Sequence, residues 1–530
     1  MSRARVLPLG NAGWSVELGD TLDEATNARV RALDRELAER PFPGFVEAVP
    51  TLRSLLVLYD ERSARPAAVG RELALRLGSL ESAPAVPGRL HEVPTLYGGD
   101  AGPDLLPLAR ELGITGRELV ELHAAGEYTA YMLGFKPGFA YLGLLPPQLE
   151  CARRKTPRVR VPAGSVALAG RQTGIYPVTS PGGWQLVGRT SLRLFDPFRD
   201  EPALVAPGDR VRFVPVAELA EAEPPSPLTH DPAAPVALVR EPGFLTSIQD
   251  CGRSGRRRLG VSAAGALDAP AHAAANRAVG NDAQAAALEC TASGPQLEFL
   301  APIRFAVTGA DLGAVLERAD LGPWPVPLGS GVLARPGNVL RFAGRRSGCR
   351  AYIALQGGID VPAVLGARAT DLQSGFGGLL GRALRAGDRL GVATANAPGS
   401  PVESVAGRHA TCVTLRVVLG PQADHFAGSS VARFLAGSFH LGASSDRVGC
   451  RLEGEPMRHQ GPAEILSDGM LPGSIQVPPD GQPIVMLHDG PTTGGYPKVA
   501  TVITADLPLL AQLVPGEGEV RFEAVPLQDL

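Results

Sequence analysis

The chain has 530 residues, 44% of them hydrophobic and 20% charged, with a formal net charge of -3. That length exceeds one core and implies two to four domains at roughly 100–200 residues each; the near-neutral charge gives no basis for nucleic acid as a partner. The six cysteines stand singly, no histidine pair has metal-ligand spacing, the N-terminus lacks a signal-peptide pattern and no apolar run reaches about 18 residues, so the expectation is a reduced, cytoplasmic protein with no metal site and no membrane contact.

In chain order, residues 21–40 place Leu22, Ala25, Val30, Leu33 and Leu37 on one helical face, and Ser54–Tyr59 reads as a buried strand. Residues 1–85 are thus expected to form a small α+β unit. A capping box at Thr115 and Glu118 opens a helix that Gly126 stops. From Arg158 through Ser165, Gln172, Tyr176 and Ser180 to Thr190, short apolar runs alternate with turns and with side chains able to grip an anion or an amide. That mix predicts strands presenting a binding surface. Residues 219–235, rich in Glu, Pro and Ala, read as a linker between a unit at 86–218 and the remainder at 236–530. Asp268 caps a further helix that accepts Pro270 in its first turn and ends near Val279 and Gly280.

One phrase recurs: Pro207 to Phe213, Pro336 to Phe342, Arg385 to Leu390 and, more loosely, Pro515 to Phe522. Each is a glycine turn followed by alternating apolar and polar residues, as a barrel-closing hairpin requires, so one barrel is expected before the linker and two after it.

Standard catalytic signatures are missing. No lysine follows a glycine, so there is no P-loop; no GxSxG elbow occurs; no glycine run has dinucleotide spacing. Three pieces instead join glycines to aromatic rings: Gly134 to Leu142, Pro181 to Trp184 and Thr492 to Lys498. Glycine lets backbone amides approach a ligand, so together they suggest a pocket for a small polar substrate, whereas singly each is equally well a ring-capped turn. His123, near a helix C-terminus where the dipole favours its charged form, is either a proton-transfer group or a hydrogen-bonded core histidine. Asp250 with Arg253 is either a turn-locking pair or a substrate clamp.

From Gly134 to Thr190 the chain resembles the KipI-type family, also called the 5-oxoprolinase B-subunit family or allophanate hydrolase subunit 1, through GFxPGFxYL, VPxGSV, TGxYP and SPGGWxLxGRT. After the linker, Pro242 to Arg253, Gly265 to Asp268, Asn276 to Asn281, Ser445 to Gly454 and Ile475 to Gly481 resemble the KipA-type family, also called the 5-oxoprolinase C-subunit family or allophanate hydrolase subunit 2. The resemblance implies an α+β, mainly β fold of cyclophilin-like barrel modules behind the small N-terminal domain. It also implies the fused B and C subunits of an ATP-dependent 5-oxoprolinase, opening 5-oxoproline to glutamate with a LamB/YcsF-type partner as its A component. The cofactor expected is ATP, with Mg2+ as its companion ion. His123 and Lys498 are the expected catalytic residues. The expected substrate contacts are Gly138, Tyr141, Arg158, Arg160, Gln172, Tyr176, Gly182, Gly183, Trp184, Asp250, Arg253, Asn276, Gly494, Gly495 and Tyr496.

An alternative of another class is the carboxyltransferase part of urea amidolyase; none of the three lysines, Lys136, Lys155 and Lys498, follows a methionine, so biotin would ride on a separate chain. A third is a KipI/KipA-like regulator of a sensor histidine kinase. Two loops depart from the family pattern: Gly366-Ala-Arg-Ala-Thr370 stands for Gly-Ser-Arg-Ser-Thr, and Asp489-Gly-Pro-Thr-Thr493 for Asp-Arg-Gln-Thr-Thr. Lost hydroxyls, an arginine and an amide there bear on selectivity.

Overall fold

A computed structural model of the chain describes residues 4–80, 88–224, 226, 230–393 and 409–529. The fold is α+β and mainly β, with two closed seven-stranded barrels. Residues 225 and 227–229 of the expected linker, and the boundary expected at 85/86, lie outside the described residues.

The N-terminal unit is an antiparallel sheet in the order Arg5–Pro8, Gly13–Glu17, Ser54–Tyr59, Phe45–Pro50, covered by helices Glu24–Glu39 and Pro66–Ser79. The first helix starts later than its apolar pattern predicts. Asp23 caps it by accepting from the Thr26 amide at 2.7 Å, which leaves Leu22 outside and Ala25 exposed. Buried Asn27 takes the inward place and donates to the carbonyls of Thr51 (3.0 Å), Leu52 (3.2 Å) and Tyr131 (3.3 Å), tying this unit to the first barrel.

That barrel runs Gln172–Ile175, Ala140–Gly143, Glu127–Leu133, Arg210–Pro215, Leu90–Tyr97, Gln185–Arg189, Ser165–Ala169. The expected capping box is present on helix Gly116–Ala124, with Thr115 and Glu118 bonded reciprocally at 3.1 and 2.6 Å. The second barrel runs Cys412–Leu419, Lys498–Val502, Ser474–Gln476, Ile484–Met486, Gly449–Glu453, Ser438–Leu441, Glu519–Ala524.

In both barrels the last strand lies parallel to the first: Arg210–Pro215 beside Leu90–Tyr97, and Glu519–Ala524 beside Cys412–Leu419. Two copies of the recurring phrase, at 207–213 and 515–522, deliver those closing strands, whereas the copies at 336–342 and 385–390 lead into Val339–Phe342 and Arg389–Leu390 of a six-stranded sheet, so only one of the two barrels expected after the linker is closed. Gly208, Gly337, Gly387 and Gly516 all have positive φ, between 80° and 97°, so the turn needs glycine at each repeat. The closure is a parallel return, however, rather than the hairpin the phrase suggests. Between the barrels the chain forms a six-stranded sheet, from Ala237–Glu241 to Arg389–Leu390, and a five-stranded one, from Leu245–Gln249 to Ser347–Leu355, packed around one core. Helix Ala269–Ala278, capped by Asp268, covers the other face of the five-stranded sheet. Among the described residues no helix is long and apolar enough to cross a membrane.

Candidate functional site

The turn from Gly134 to Phe139 leaves the edge of the first barrel and is clasped by the second half of the chain. Gly138 donates its amide to the Leu259 carbonyl at 2.9 Å, and Phe135 donates to Thr493 Oγ1 at 3.2 Å. A Cβ on Gly134 would stand 2.1 Å from Thr493 Oγ1, and one on Gly260 2.5 Å from the Lys136 carbonyl oxygen. Glycine is needed here for close approach across the seam. Gly134→Ala should therefore cost about 1–3 kcal/mol of stability, as overpacking does; a urea titration showing no change in midpoint would contradict this.

At that seam lies a hollow of about 340 Å3. Phe135, Lys136, Pro137 and Pro181 wall it from the first half, and Ser262, Gln373, Ser374, Arg451, Asp489 and Pro491 from the second. Two of the glycine–aromatic pieces thus reach it directly, and the third begins one residue beyond Pro491. Lys136 Nζ donates to Gln373 Oε1 at 3.4 Å and has no carboxylate within ion-pair distance among the described residues. Burial lowers its pKa, opposed by Asp371.

Asp371 accepts from Ser262 Oγ at 2.9 Å and from the amides of Gln373 (3.0 Å) and Ser374 (2.9 Å), which fixes that wall. Asp489 is held by both arms of Arg447, each at 2.9 Å. Arg447 also donates to Glu289, which accepts from the Tyr352 hydroxyl at 2.8 Å. Burial pushes Asp489 up to about 6, against the pull of Arg447 and with help from Asp371 and Glu289. The hollow therefore offers an ammonium with no carboxylate partner among the described residues, a hydroxyl and an amide, with the buried Asp489 carboxylate held on both oxygens by Arg447. Such a set suits a small anionic amide.

None of the substrate contacts expected from sequence is among the residues that line this hollow. Tyr141, Tyr176 and Trp184 pack edge-on around Phe139, with ring centroids 4.9 to 5.6 Å from it, in a buried aromatic cluster. Gly182 fits against the Tyr176 hydroxyl, where a Cβ would stand 2.3 Å away, and Gly183 faces Pro157. Arg158 grips Asp104 with two bonds of 2.8 and 2.7 Å; Arg160 is exposed; Gln172 is half-buried on the barrel edge.

Asp250 and Arg253 do not bond each other. Asp250 accepts from the amides of Gly252 (2.8 Å) and Arg368, and Arg253 donates to the carbonyls of Val364 (3.1 Å) and Ala369 (2.5 Å), so both organise the 364–369 loop. Asn276 donates to the Ala285 carbonyl at 2.8 Å and accepts from Asn281 at 2.9 Å. Gly494 pairs with Asp468, the Gly495 carbonyl accepts from Ile465 at 2.9 Å, and the Tyr496 carbonyl from Gln476 at 3.3 Å.

Lys498 is wholly buried, its Nζ 2.7 Å from Asp468, at the contact between the second barrel and the N-terminal sheet. His123 is also wholly buried: Nδ1 bonds the Tyr97 hydroxyl at 2.7 Å, Nε2 bonds Thr173 at 3.0 Å, and the ring stacks on Phe213. The helix-terminus argument favours its charged form, but burial wins and takes its pKa down to about 3. Neither residue borders the hollow. Lys136 and Asp489 do, and each lies in a stretch that the sequence marks: the GFxPGF turn and the altered loop.

Two family models cover most of the chain: carboxyltransferase domain, subdomain C and D, over residues 4–205, and carboxyltransferase domain, subdomain A and B, over residues 259–524. The chain belongs to this carboxyltransferase-domain family, with both of its parts in one polypeptide. It is 45% identical to the B subunit of 5-oxoprolinase from Escherichia coli O157:H7 over 41% of this chain and 99% of that protein. To the C subunit of 5-oxoprolinase from Escherichia coli K12 it is 41% identical over 54% of this chain and 90% of that one. A crystal structure of the protein TTHA0988 superposes with a TM-score of 0.84 at 38% identity, covering 96% of this chain and 99% of that one. The K. lactis urea amidolyase structure matches with a TM-score of 0.51 at 29% identity, over 56% of this chain and 19% of that one.

Proposed function

We propose that this chain is the joined B and C subunits of an ATP-dependent 5-oxoprolinase that acts in the cytoplasm with a LamB/YcsF-type partner as its A component. The observation carrying this reading is the hollow at the seam, whose lysine comes from the B-like half and whose carboxylate comes from the C-like half. Near-complete coverage of both E. coli subunits supports it.

A lactam carbonyl is a poor electrophile, and opening this ring is unfavourable without a driving reaction, which is the reason for coupling to ATP. Lys136 holds the substrate carboxylate, and Asp489 exchanges a proton with the ring amide once the substrate displaces one of its two bonds to Arg447. At about 340 Å3 the hollow is near the small end of ligand pockets, which run from about 300 to 1,000 Å3. Its one carboxylate is tied to Arg447, and no cluster of three or more His, Cys, Asp or Glu side chains among the described residues could hold a metal. The donor set fits a small carboxylic acid and not Mg2+ with a triphosphate, so the nucleotide is assigned to the LamB/YcsF-type partner.

The test combines purified chain, the LamB/YcsF-type partner, ATP and 5-oxoproline. Glutamate and ADP should form only when all four are present. The family description and the urea amidolyase likeness favour a second reading, transfer of a carboxyl group from a separate biotin carrier. Carboxylation on adding carboxybiotin, with no glutamate from 5-oxoproline, would replace the first reading by that one. If Asp489 acts as its carboxylate, kcat/KM should fall as pH drops below about 6, and Asp489→Asn should lower the rate and remove that limb. A pH profile unchanged by the substitution would exclude Asp489 from the proton transfer.

A further inference from the structure

Two cationic side chains line the seam hollow, Lys136 from the first half and Arg451 from the second, together with one carboxylate, Asp489. Asp489 is already answered by Arg447, which holds both of its oxygens at 2.9 Å. Lys136 Nζ donates to the neutral Gln373, and the Arg451 guanidinium has no hydrogen bond or ion pair among the described residues. The hollow is therefore lined by two positive charges with no carboxylate partner, one from each half of the chain.

Arg451 belongs to strand Gly449–Glu453 of the second barrel, where Cys450 and Leu452 are buried in the core and Arg451, alternating with them, is exposed. Its main chain is held on both sides: the amide donates to Ser445 Oγ at 3.0 Å, and the carbonyl accepts from the Gly442 amide at 2.8 Å. The stem is fixed and the head is free. An exposed arginine needs no explanation by itself, and Arg416 and Arg433 nearby in the chain are paired with Asp506 (2.6 Å) and Glu455 (2.8 Å). Arg451 differs in having no such partner and in lining the same hollow as Lys136. Gly490 and Pro491, which also line it, bring no side-chain donor, so Arg451 is the one cation on the wall from the second half.

At neutral pH 5-oxoproline has one charged group, its carboxylate, and one of the two cations is enough to hold it. Ring opening changes that count. Net of the ATP that drives it, the oxygen of a water joins the lactam carbon, the carbon–nitrogen bond breaks with its electron pair going to nitrogen, and both protons of the water end on that nitrogen. The open chain has two carboxylates and an ammonium, three charged groups for Lys136, Arg451 and Asp489. We infer that Arg451 binds the carboxylate that ring opening creates, so that the hollow selects a five-carbon chain with an anion at both ends. This rests on the function proposed above and deepens it. The planar fork of a guanidinium matches a carboxylate with two parallel bonds. It therefore gains most as the neutral lactam carbonyl becomes a carboxylate, and an interaction that strengthens along the reaction speeds the chemical step.

The experiment is calorimetry on the full chain with 5-oxoproline, glutamate and glutamine, the last having a neutral amide where glutamate has its second carboxylate. Wild type should bind glutamate about tenfold or more tightly than glutamine, the scale of one charged hydrogen-bonded pair, and 5-oxoproline should compete with glutamate. Arg451→Met, at an exposed side chain on which no described contact depends, should abolish that preference. It should weaken glutamate about tenfold or more and 5-oxoproline by less than about threefold. Arg451→Lys should keep part of the preference, with the charge but not the fork. Lys136→Met should weaken all three ligands, since each has the first carboxylate. Glutamate bound as tightly by Arg451→Met as by wild type, with 5-oxoproline still dependent on Lys136, would overturn the assignment of Arg451 and leave the 5-oxoprolinase reading standing. A wild-type chain that binds none of the three, and makes no glutamate with the LamB/YcsF-type partner and ATP, would overturn both.

Discussion

Lys136→Met should lower kcat/KM for 5-oxoproline by about 100- to 1,000-fold, the scale seen when one preorganised donor to an anion is removed, while leaving the unfolding midpoint nearly unchanged. The two halves of this expectation come from the same geometry. Lys136 reaches the seam hollow with a single 3.4 Å bond to Gln373 and no ion pair among the described residues, so little in the fold depends on its charge. Burial lowers its pKa, so the ammonium is incompletely solvated and gains most by meeting an anion. Lys136→Arg should restore part of the rate, because it keeps charge but not shape. A Met variant with wild-type kcat/KM would show that the substrate carboxylate binds elsewhere.

Lys498→Met should have the opposite signature, a stability loss of about 3–5 kcal/mol, the usual result of leaving one member of a buried pair alone. Its Nζ sits 2.7 Å from Asp468, and the two side chains are 0% and 2% exposed. Asp468 also accepts from Ser54 on the N-terminal sheet and from Gln422 at 3.2 Å, so the pair fastens that sheet to the second barrel. Burial alone would raise the pKa of Asp468, but Lys498 and Ser54 outweigh it and hold the group below its ordinary value.

A depressed carboxylate pKa contributes stability that is present above the unfolded value, near about pH 4, and is lost as pH falls through the folded one. In the variant the sign reverses, since Asp468 is then buried without its cation. The gap between wild type and variant in urea unfolding should therefore be wide at pH 7 and narrow toward pH 4. Adding Asp468→Asn should recover part of the loss. A variant that unfolds like wild type yet has lost turnover would instead favour the catalytic role that sequence suggests for Lys498.

Local patterns are legible in the sequence and the seam is not. The capping box at Thr115, the cap at Asp268 and the positive-φ glycines of the recurring phrase each depend on residues a few positions apart, and local chemistry determines them. The three glycine–aromatic pieces reach or adjoin the seam hollow. Which of their side chains face the hollow depends on contacts between residues far apart, such as Gly138 with Leu259 and Phe135 with Thr493. A tyrosine that lines a wall and one that backs it look alike in sequence, so the motifs single out Tyr176 and Trp184 where Lys136 and Asp489 stand at the surface of the hollow. His123 shows the same limit, because the partners that bury it, Tyr97, Thr173 and Phe213, lie on three different strands. Gln373 and Ser374 follow Asp371 in a loop with no local signal at all.

The most direct measurement is a crystal structure of the chain with its LamB/YcsF-type partner and 5-oxoproline. The account predicts the ring in the seam hollow, its carboxylate within hydrogen-bond distance of Lys136 Nζ and its amide toward Asp489. Substrate bound away from that hollow, with Lys136 and Asp489 touching none of it, would contradict the account.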